Sequence, residues 1–124
     1  MNPTCISLSH GSGTGLAHLL HEVVLPALGG TPGGVLEDAA ILPDVEGVAA
    51  FTTDGFVVDP LEFPGGDIGK LSACGTINDL AMMGAVPSHL AVALILEEGL
   101  DKGVLSGIEI LRVPGRKFQF VMYG

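Results

Sequence analysis

The chain has 124 residues, 48% of them hydrophobic and 15% charged. That length supports one domain around one core, and so apolar a composition excludes intrinsic disorder. Five Lys and Arg against 14 Asp and Glu leave a formal net charge of −9, which excludes nucleic acid and anionic membranes as direct partners, because both are held by basic patches.

A nucleotide stays open as a ligand, provided Mg2+ stands between its phosphates and the carboxylates. The two cysteines, Cys5 and Cys74, form neither a disulfide framework nor a metal-type spacing, which points to a reducing, cytoplasmic setting. The chain opens without the basic and apolar run of a secretory leader. Its most apolar window, Leu80 to Leu96, is interrupted by Gly84, Pro87, Ser88 and His89 and is too short to span a bilayer.

In chain order, Thr4 to Ser9 alternates and predicts a strand. The glycine loop His10-Gly-Ser-Gly-Thr-Gly15 follows. Leu16, Leu19, Leu20, Val23, Val24 and Leu28 then recur at helical spacing, so a helix is expected over about 14–28, bent near Pro26. Gly29 to Gly34 is a loop. Strands are expected over 35–42 and 48–53, the latter extended by Phe56 to Val58 until Asp59-Pro60. A Pro/Gly loop, Phe63 to Gly66, leads to Asp67, a good N-cap for a helix over about 68–83 that stops at Gly84. Ser88 to Leu96 predicts a buried strand, Asp101 to about Leu111 a helix weakened by Gly103 and Gly107, and Lys117 to Tyr123 a last strand. The order β-α-β-β-α-β-α-β is an α+β layout.

Four features carry candidate chemistry. The loop from His10 to Gly15 suits phosphate, because glycines admit close approach and the following helix offers unpaired N–H groups. It lacks the Gly-Lys-Ser/Thr of a Walker loop, and a glycine turn that merely starts a helix would look the same. Asp38, Asp54 and Asp79 come from separate elements. They either gather around Mg2+ or serve as turn caps. Asp79, next to Asn78, is flanked by Ile77, Leu80, Ala81, Met82 and Met83, which suggests a buried carboxylate in need of a partner. Lys70 sits in the first turn of its helix, where the dipole disfavours it. A bound anion would explain it, and so would simple solvation. Gly75, four residues before Asp79, implies close packing against a backbone or a ligand. His18 and His21 could pair on a metal, but no further ligand lies at suitable spacing. His89 starts a strand as a core-edge residue, and Cys5 reads as a small buried residue rather than a nucleophile.

The runs Leu8-Ser-His-Gly-Ser-Gly13, Glu37-Asp-Ala-Ala40, Phe51-Thr-Thr-Asp54, Phe56-Val-Val-Asp-Pro60, Phe63-Pro-Gly-Gly-Asp-Ile-Gly-Lys70, Cys74-Gly-Thr-Ile-Asn-Asp-Leu-Ala-Met-Met-Gly-Ala85 and Ile95 to Leu100 together resemble the N-terminal domain of the hydrogenase expression/formation protein HypE. That family falls within the PurM/AIR synthase-related superfamily. The resemblance covers about residues 6–100. It implies a PurM-like mixed sheet with helices on one face, pairing with a second copy into a barrel, so that the chain forms a homodimer. It implies ATP and Mg2+ as ligands. His10, Gly11, Ser12, Gly13, Gly15 and Lys70 would bind the nucleotide, and Asp38, Asp54 and Asp79 would hold the metal. The activity implied is ATP-dependent dehydration of a carboxamide on a cysteine of the protein, making the cyanide ligand of nickel–iron hydrogenase. A carbamoyltransferase and a hydrogenase-maturation scaffold are the implied partners.

Residues 103–124 depart from the family pattern, and neither the C-terminal domain nor the substrate cysteine is present. A single ATP-binding, dimerising domain over 1–124 is therefore expected, inactive by itself. Two alternatives stand beside it. One is a domain of a related ATP-dependent enzyme, of the selenophosphate synthetase, aminoimidazole ribonucleotide synthetase or thiamine-monophosphate kinase type. The other is a non-catalytic dimerisation or docking module.

Overall fold

The computed structural model describes residues 4–27, 39, 41–42, 46–108 and 120–122. They belong to two compact units, one drawn from Met1–Val35 and Ile95–Ile110, the other from Leu36–Leu94 and Leu111–Gly124. The strand expected over 35–42 lies almost wholly outside the described residues.

In the first unit the chain enters extended and pairs with the segment around Leu100. Ile6 N–H donates to the Leu100 carbonyl at 2.7 Å, Gly99 N–H to Ile6 at 2.8 Å and Lys102 N–H to Thr4 at 2.8 Å. The strand expected over 4–9 is thus cut short, because the chain tightens into a 3-10 turn at Leu8–Gly11. Helix α1 follows at Gly13–Leu19, then a widened π turn at Leu20–Val24, then α2 at Leu25–Ala27.

The bend expected near Pro26 takes the form of that widened turn. Pro26 has no N–H to offer the carbonyl four residues back, and its ring collides with it. Instead Leu25 N–H reaches the Leu20 carbonyl, five residues back. This winding brings Leu19 and Val24, five apart, to the buried side, and both are buried. Helix α4, Lys102–Gly107, is capped by Asp101, whose carboxylate accepts Gly103 N–H at 2.7 Å. It packs against the widened turn. It stops at Gly107 rather than near 111, as two glycines in six residues would dictate. Ile6, Leu19, Val24, Leu105 and Ile108 form the buried core of this unit.

In the second unit, β1 (Glu62–Phe63) and β2 (Gly66–Asp67) make an antiparallel hairpin. Its turn is Pro64-Gly65, with Gly65 at φ +97°, the pairing of fixed and positive φ that a type II turn requires. Helix α3, Ile68–Met82, begins at Asp67, whose carboxylate accepts Lys70 N–H at 2.8 Å. It ends in a Schellman motif: Ala85 N–H donates to Leu80, Gly84 N–H donates to Ala81, and Gly84 sits at φ +70°. Both ends agree with the sequence reading. Asp67 is only 7% exposed. Asp67→Ala is expected to lower stability by about 1 kcal/mol, and Asp67→Asn by much less, since Asn caps nearly as well. A shift of the urea midpoint at unchanged slope measures this.

Strand β3, Leu90–Val92, pairs in parallel with β4, Phe120–Met122. The described residues therefore contain two small two-stranded sheets in place of one mixed sheet. The run 48–58 has no ladder, although its alternation predicts strands. The strand expected over 88–96 shrinks to three residues. Among the residues of this unit whose burial is described, Ala73 is the one buried hydrophobic residue, whereas Val48 is 100%, Val57 96% and Phe51 88% exposed. Among the described residues no helix is long and apolar enough to cross a membrane.

Candidate functional site

The loop residues His10, Gly11, Ser12, Gly13 and Gly15 lie in the first unit; Asp54, Lys70 and Asp79 lie in the second. Asp38 lies outside the described residues, so the convergence expected of three carboxylates is not on view.

The glycine loop is built by two local devices. Ser7 N–H donates to His10 Nδ1 at 2.9 Å, and His10 N–H donates to the Ser7 carbonyl at 2.9 Å, which closes the 3-10 turn. Ser12 then runs extended and occupies the N-cap of α1, but its side chain caps nothing. The leading N–H groups of α1 are consequently left without a side-chain acceptor, the condition in which a helix start favours an anion. The second device is a close approach. A Cβ placed on Gly15 would fall within the van der Waals surface of the Ser9 carbonyl oxygen and 2.9 Å from its carbon. The turn and the helix start can therefore touch only through glycine.

In the second unit a shallow cleft of about 130 Å³ is walled by the run 50–54, by α3 and by the start of β3. Thr52, Thr53, Asp54, Thr76 and His89 are its polar lining residues, and Phe51 and Leu80 are among its apolar walls. Asp54 is exposed and accepts Gly55 N–H at 2.8 Å. Asp79 does not line this cleft. It lies on the exposed side of α3, which corrects the expectation of a buried carboxylate: Met82 and Met83, one turn further along the same side, are themselves 78% exposed. Among the described residues no three His, Cys, Asp or Glu side chains cluster as a metal cage.

Lys70 has a structural partner that the sequence did not disclose. Its Nζ donates to the Gly65 carbonyl at 2.7 Å, and its stem lies so close to Gly66 that an added Cβ there would sit 2.9 Å from Lys70 Cδ. The lysine therefore folds back over the hairpin turn with its amine exposed. Gly75 is explained by packing against a side chain: a Cβ there would meet the Phe56 ring at 2.6 and 2.8 Å.

The histidines sort differently from a metal pair. His18 Nε2 faces Glu22 Oε2 at 2.9 Å on the exposed surface, while His21 is half-buried with Nδ1 unpartnered among the described residues. His89 is half-buried with Ser88 Oγ 3.0 Å from Nδ1. Cys5 is half-buried and Cys74 exposed, both as free thiols. Sequence reasoning missed Thr52, Thr76 and His89 as cleft residues. Thr52 adjoins the Thr53-Asp54 run and gave some signal, whereas Thr76 and His89 gave none.

Residues 36–111, more than half of the chain, match the family model of the AIR synthase related protein, N-terminal domain. The chain belongs to that family. This AIR synthase-related domain is 45% identical over 108 residues to the carbamoyl dehydratase HypE of Rhodobacter capsulatus, covering 83% of the chain and 31% of that protein. It is 43% identical over 109 residues to the carbamoyl dehydratase HypE of Escherichia coli (strain K12), covering 83% and 32%. With that of Bradyrhizobium diazoefficiens it shares 44% over 96 residues, covering 77% and 28%. The likeness to the N-terminal domain of HypE carried by the sequence motifs is thus shown, and the chain spans about a third of the length of the relatives it matches. No solved structure matches it.

Proposed function

We propose that this domain is the Mg2+–ATP-binding part of a HypE-type carbamoyl dehydratase, acting in the cytoplasm on hydrogenase maturation. The whole protein would dehydrate a cysteine-borne carboxamide at the expense of ATP and yield the cyanide ligand of nickel–iron hydrogenase. The observation that carries this reading is the 43 to 45% identity, over 83% of the chain, to proteins named carbamoyl dehydratase HypE. Residues of the two units, each unit taken by itself, supply chemistry that supports it. The glycine loop and the uncapped start of α1 provide N–H donors for phosphate oxygens. The exposed amine of Lys70 adds a positive charge. Asp54 and Asp79, with Asp38, supply oxygen ligands for Mg2+, which offsets the phosphate charge when bound. A carbamoyltransferase would deliver the carboxamide and a maturation scaffold would receive the product.

The uncovered apolar residues Val48, Phe51 and Val57 support a homodimer in which a second copy covers this run. They also favour a second reading, in which the domain only dimerises or docks without holding nucleotide. Thermal melting at two protein concentrations, with and without Mg2+–ATP, separates the two. Ligand at 100 times its Kd stabilises the native state by about 2.7 kcal/mol. A shift with nucleotide supports the ATP site. A melting point that rises with protein concentration but ignores nucleotide supports the docking module. A related ATP-dependent enzyme would bind Mg2+–ATP equally, and the coding sequence downstream distinguishes it by whether it adds a second domain that ends in a cysteine.

Asp79→Asn is expected to weaken Mg2+–ATP binding about tenfold, or about 1.4 kcal/mol, with the melting point of the free protein unchanged because the side chain is exposed. Unaltered binding, measured calorimetrically, would remove Asp79 from the metal site.

A further inference from the structure

His10 stands in the candidate phosphate loop, yet its ring is committed to the protein's own backbone. Its Nδ1 lies 2.9 Å from Ser7 N, 3.0 Å from Ser7 Oγ and 3.2 Å from the Ser7 carbonyl oxygen. A main-chain N–H is always a donor, so Nδ1 must offer a lone pair to it. A proton on Nδ1, donated to the carbonyl oxygen at 3.2 Å, would remove the lone pair that Ser7 N–H meets at 2.9 Å. Ser7 Oγ also lies 2.8 Å from Ser9 Oγ, so its proton has another acceptor than the nitrogen.

We propose that His10 is a positioning residue of the loop, held as the neutral tautomer with its proton on Nε2, so that it sets the turn through Ser7 rather than acting as a base toward a ligand. The role follows a short chain of contacts. Nδ1 closes the turn Leu8–Gly11, the turn places the Ser9 carbonyl, and that carbonyl abuts Gly15 at the start of α1. Ser7 and His10 form the reciprocal half of a capping box, with imidazole in the place usually taken by Glu or Gln. The tautomer and the clamp do not depend on nucleotide binding. The effect on affinity rests on the reading given under Proposed function.

The test compares His10→Asn, His10→Leu and His10→Ala in the full chain. Asn places its side-chain oxygen where Nδ1 stands and can still accept Ser7 N–H, whereas Leu has nearly the same shape and no acceptor. Long-range 15N–1H spectra of the parent are expected to show Nδ1 unprotonated and Nε2 protonated, and the Nδ1–H tautomer would overturn the proposal. Exchange of the Ser7 amide is expected to be about fivefold slower in the parent and in His10→Asn than in the Leu and Ala variants, as one hydrogen bond implies. Equal exchange in all four would overturn it. If Mg2+–ATP binds, His10→Asn is expected to bind it about tenfold more tightly than His10→Leu. Equal loss of affinity in the two variants would make His10 a direct ligand contact and end the positioning role. If Mg2+–ATP does not bind the parent, the functional reading fails, while the spectra and the exchange rates still decide the role of His10.

Discussion

Gly15→Ala is expected to destabilise the domain by about 3 kcal/mol and to weaken Mg2+–ATP binding with it. The added methyl would collide with the Ser9 carbonyl, and a carbonyl in a tight turn cannot rotate away as a long side chain can. Overpacking of this kind costs about 1 to 3 kcal/mol, and backbone offers the least relief. Either the helix start or the 3-10 turn has to shift, and the loop carries both. Gly11→Ala is the control. A Cβ there meets nothing within 4 Å, so its effect should stay within about 0.5 kcal/mol. Chemical denaturation of the two variants decides the matter: equal midpoints would mean that the turn and the helix start do not touch.

Gly75→Ala should change stability in the direction opposite to helix propensity. In a helix interior the exchange normally gains about 1 kcal/mol. Here the methyl would lie 2.6 Å from the tip of the Phe56 ring, and a net loss of about 2 kcal/mol is expected. The double variant makes the cause visible. With Phe56→Ala already present, Gly75→Ala should stabilise by up to about 1 kcal/mol, a reversal of sign that only a direct contact produces. If both backgrounds respond alike, the ring does not pack on α3 and the glycine has some other reason to be there.

What could be read from the sequence was what local chemistry decides. Asp67 and Gly84 mark the two ends of α3 because a cap and a left-handed stop act within one turn. The disturbance at Pro26 was equally legible, since a missing N–H acts four residues away, although its form as a widened turn was not. The hairpin around Pro64-Gly65 escaped because two-residue strands have no period to detect. The run 48–58 has the alternation of strands, yet ladder formation depends on partners far along the chain. Asp79 was misread as buried because apolar neighbours in sequence do not ensure burial: Met82 and Met83, on its own side of α3, are exposed as well. In the candidate site, the glycine loop and the exposed Lys70 amine were visible. The clamp from His10 to Ser7 was hidden, although the spacing Ser7-x-x-His10 is that of a capping box and offered a signal. The identity of Phe56 as the partner of Gly75 is a long-range fact and had no local trace.

The widened turn at Leu20–Val24 has a consequence for how the first helix tolerates change. It accommodates one residue more than a regular turn, and each residue of an α-helix advances the winding by about 100°. Removing a single residue between Leu19 and Val24 would leave the two four apart, still on one side of a regular helix, but would return the Pro26 ring to a carbonyl it now avoids. Side-chain exchanges on the exposed surface of this helix leave that ring where it is. The segment therefore accepts new letters more readily than a new length.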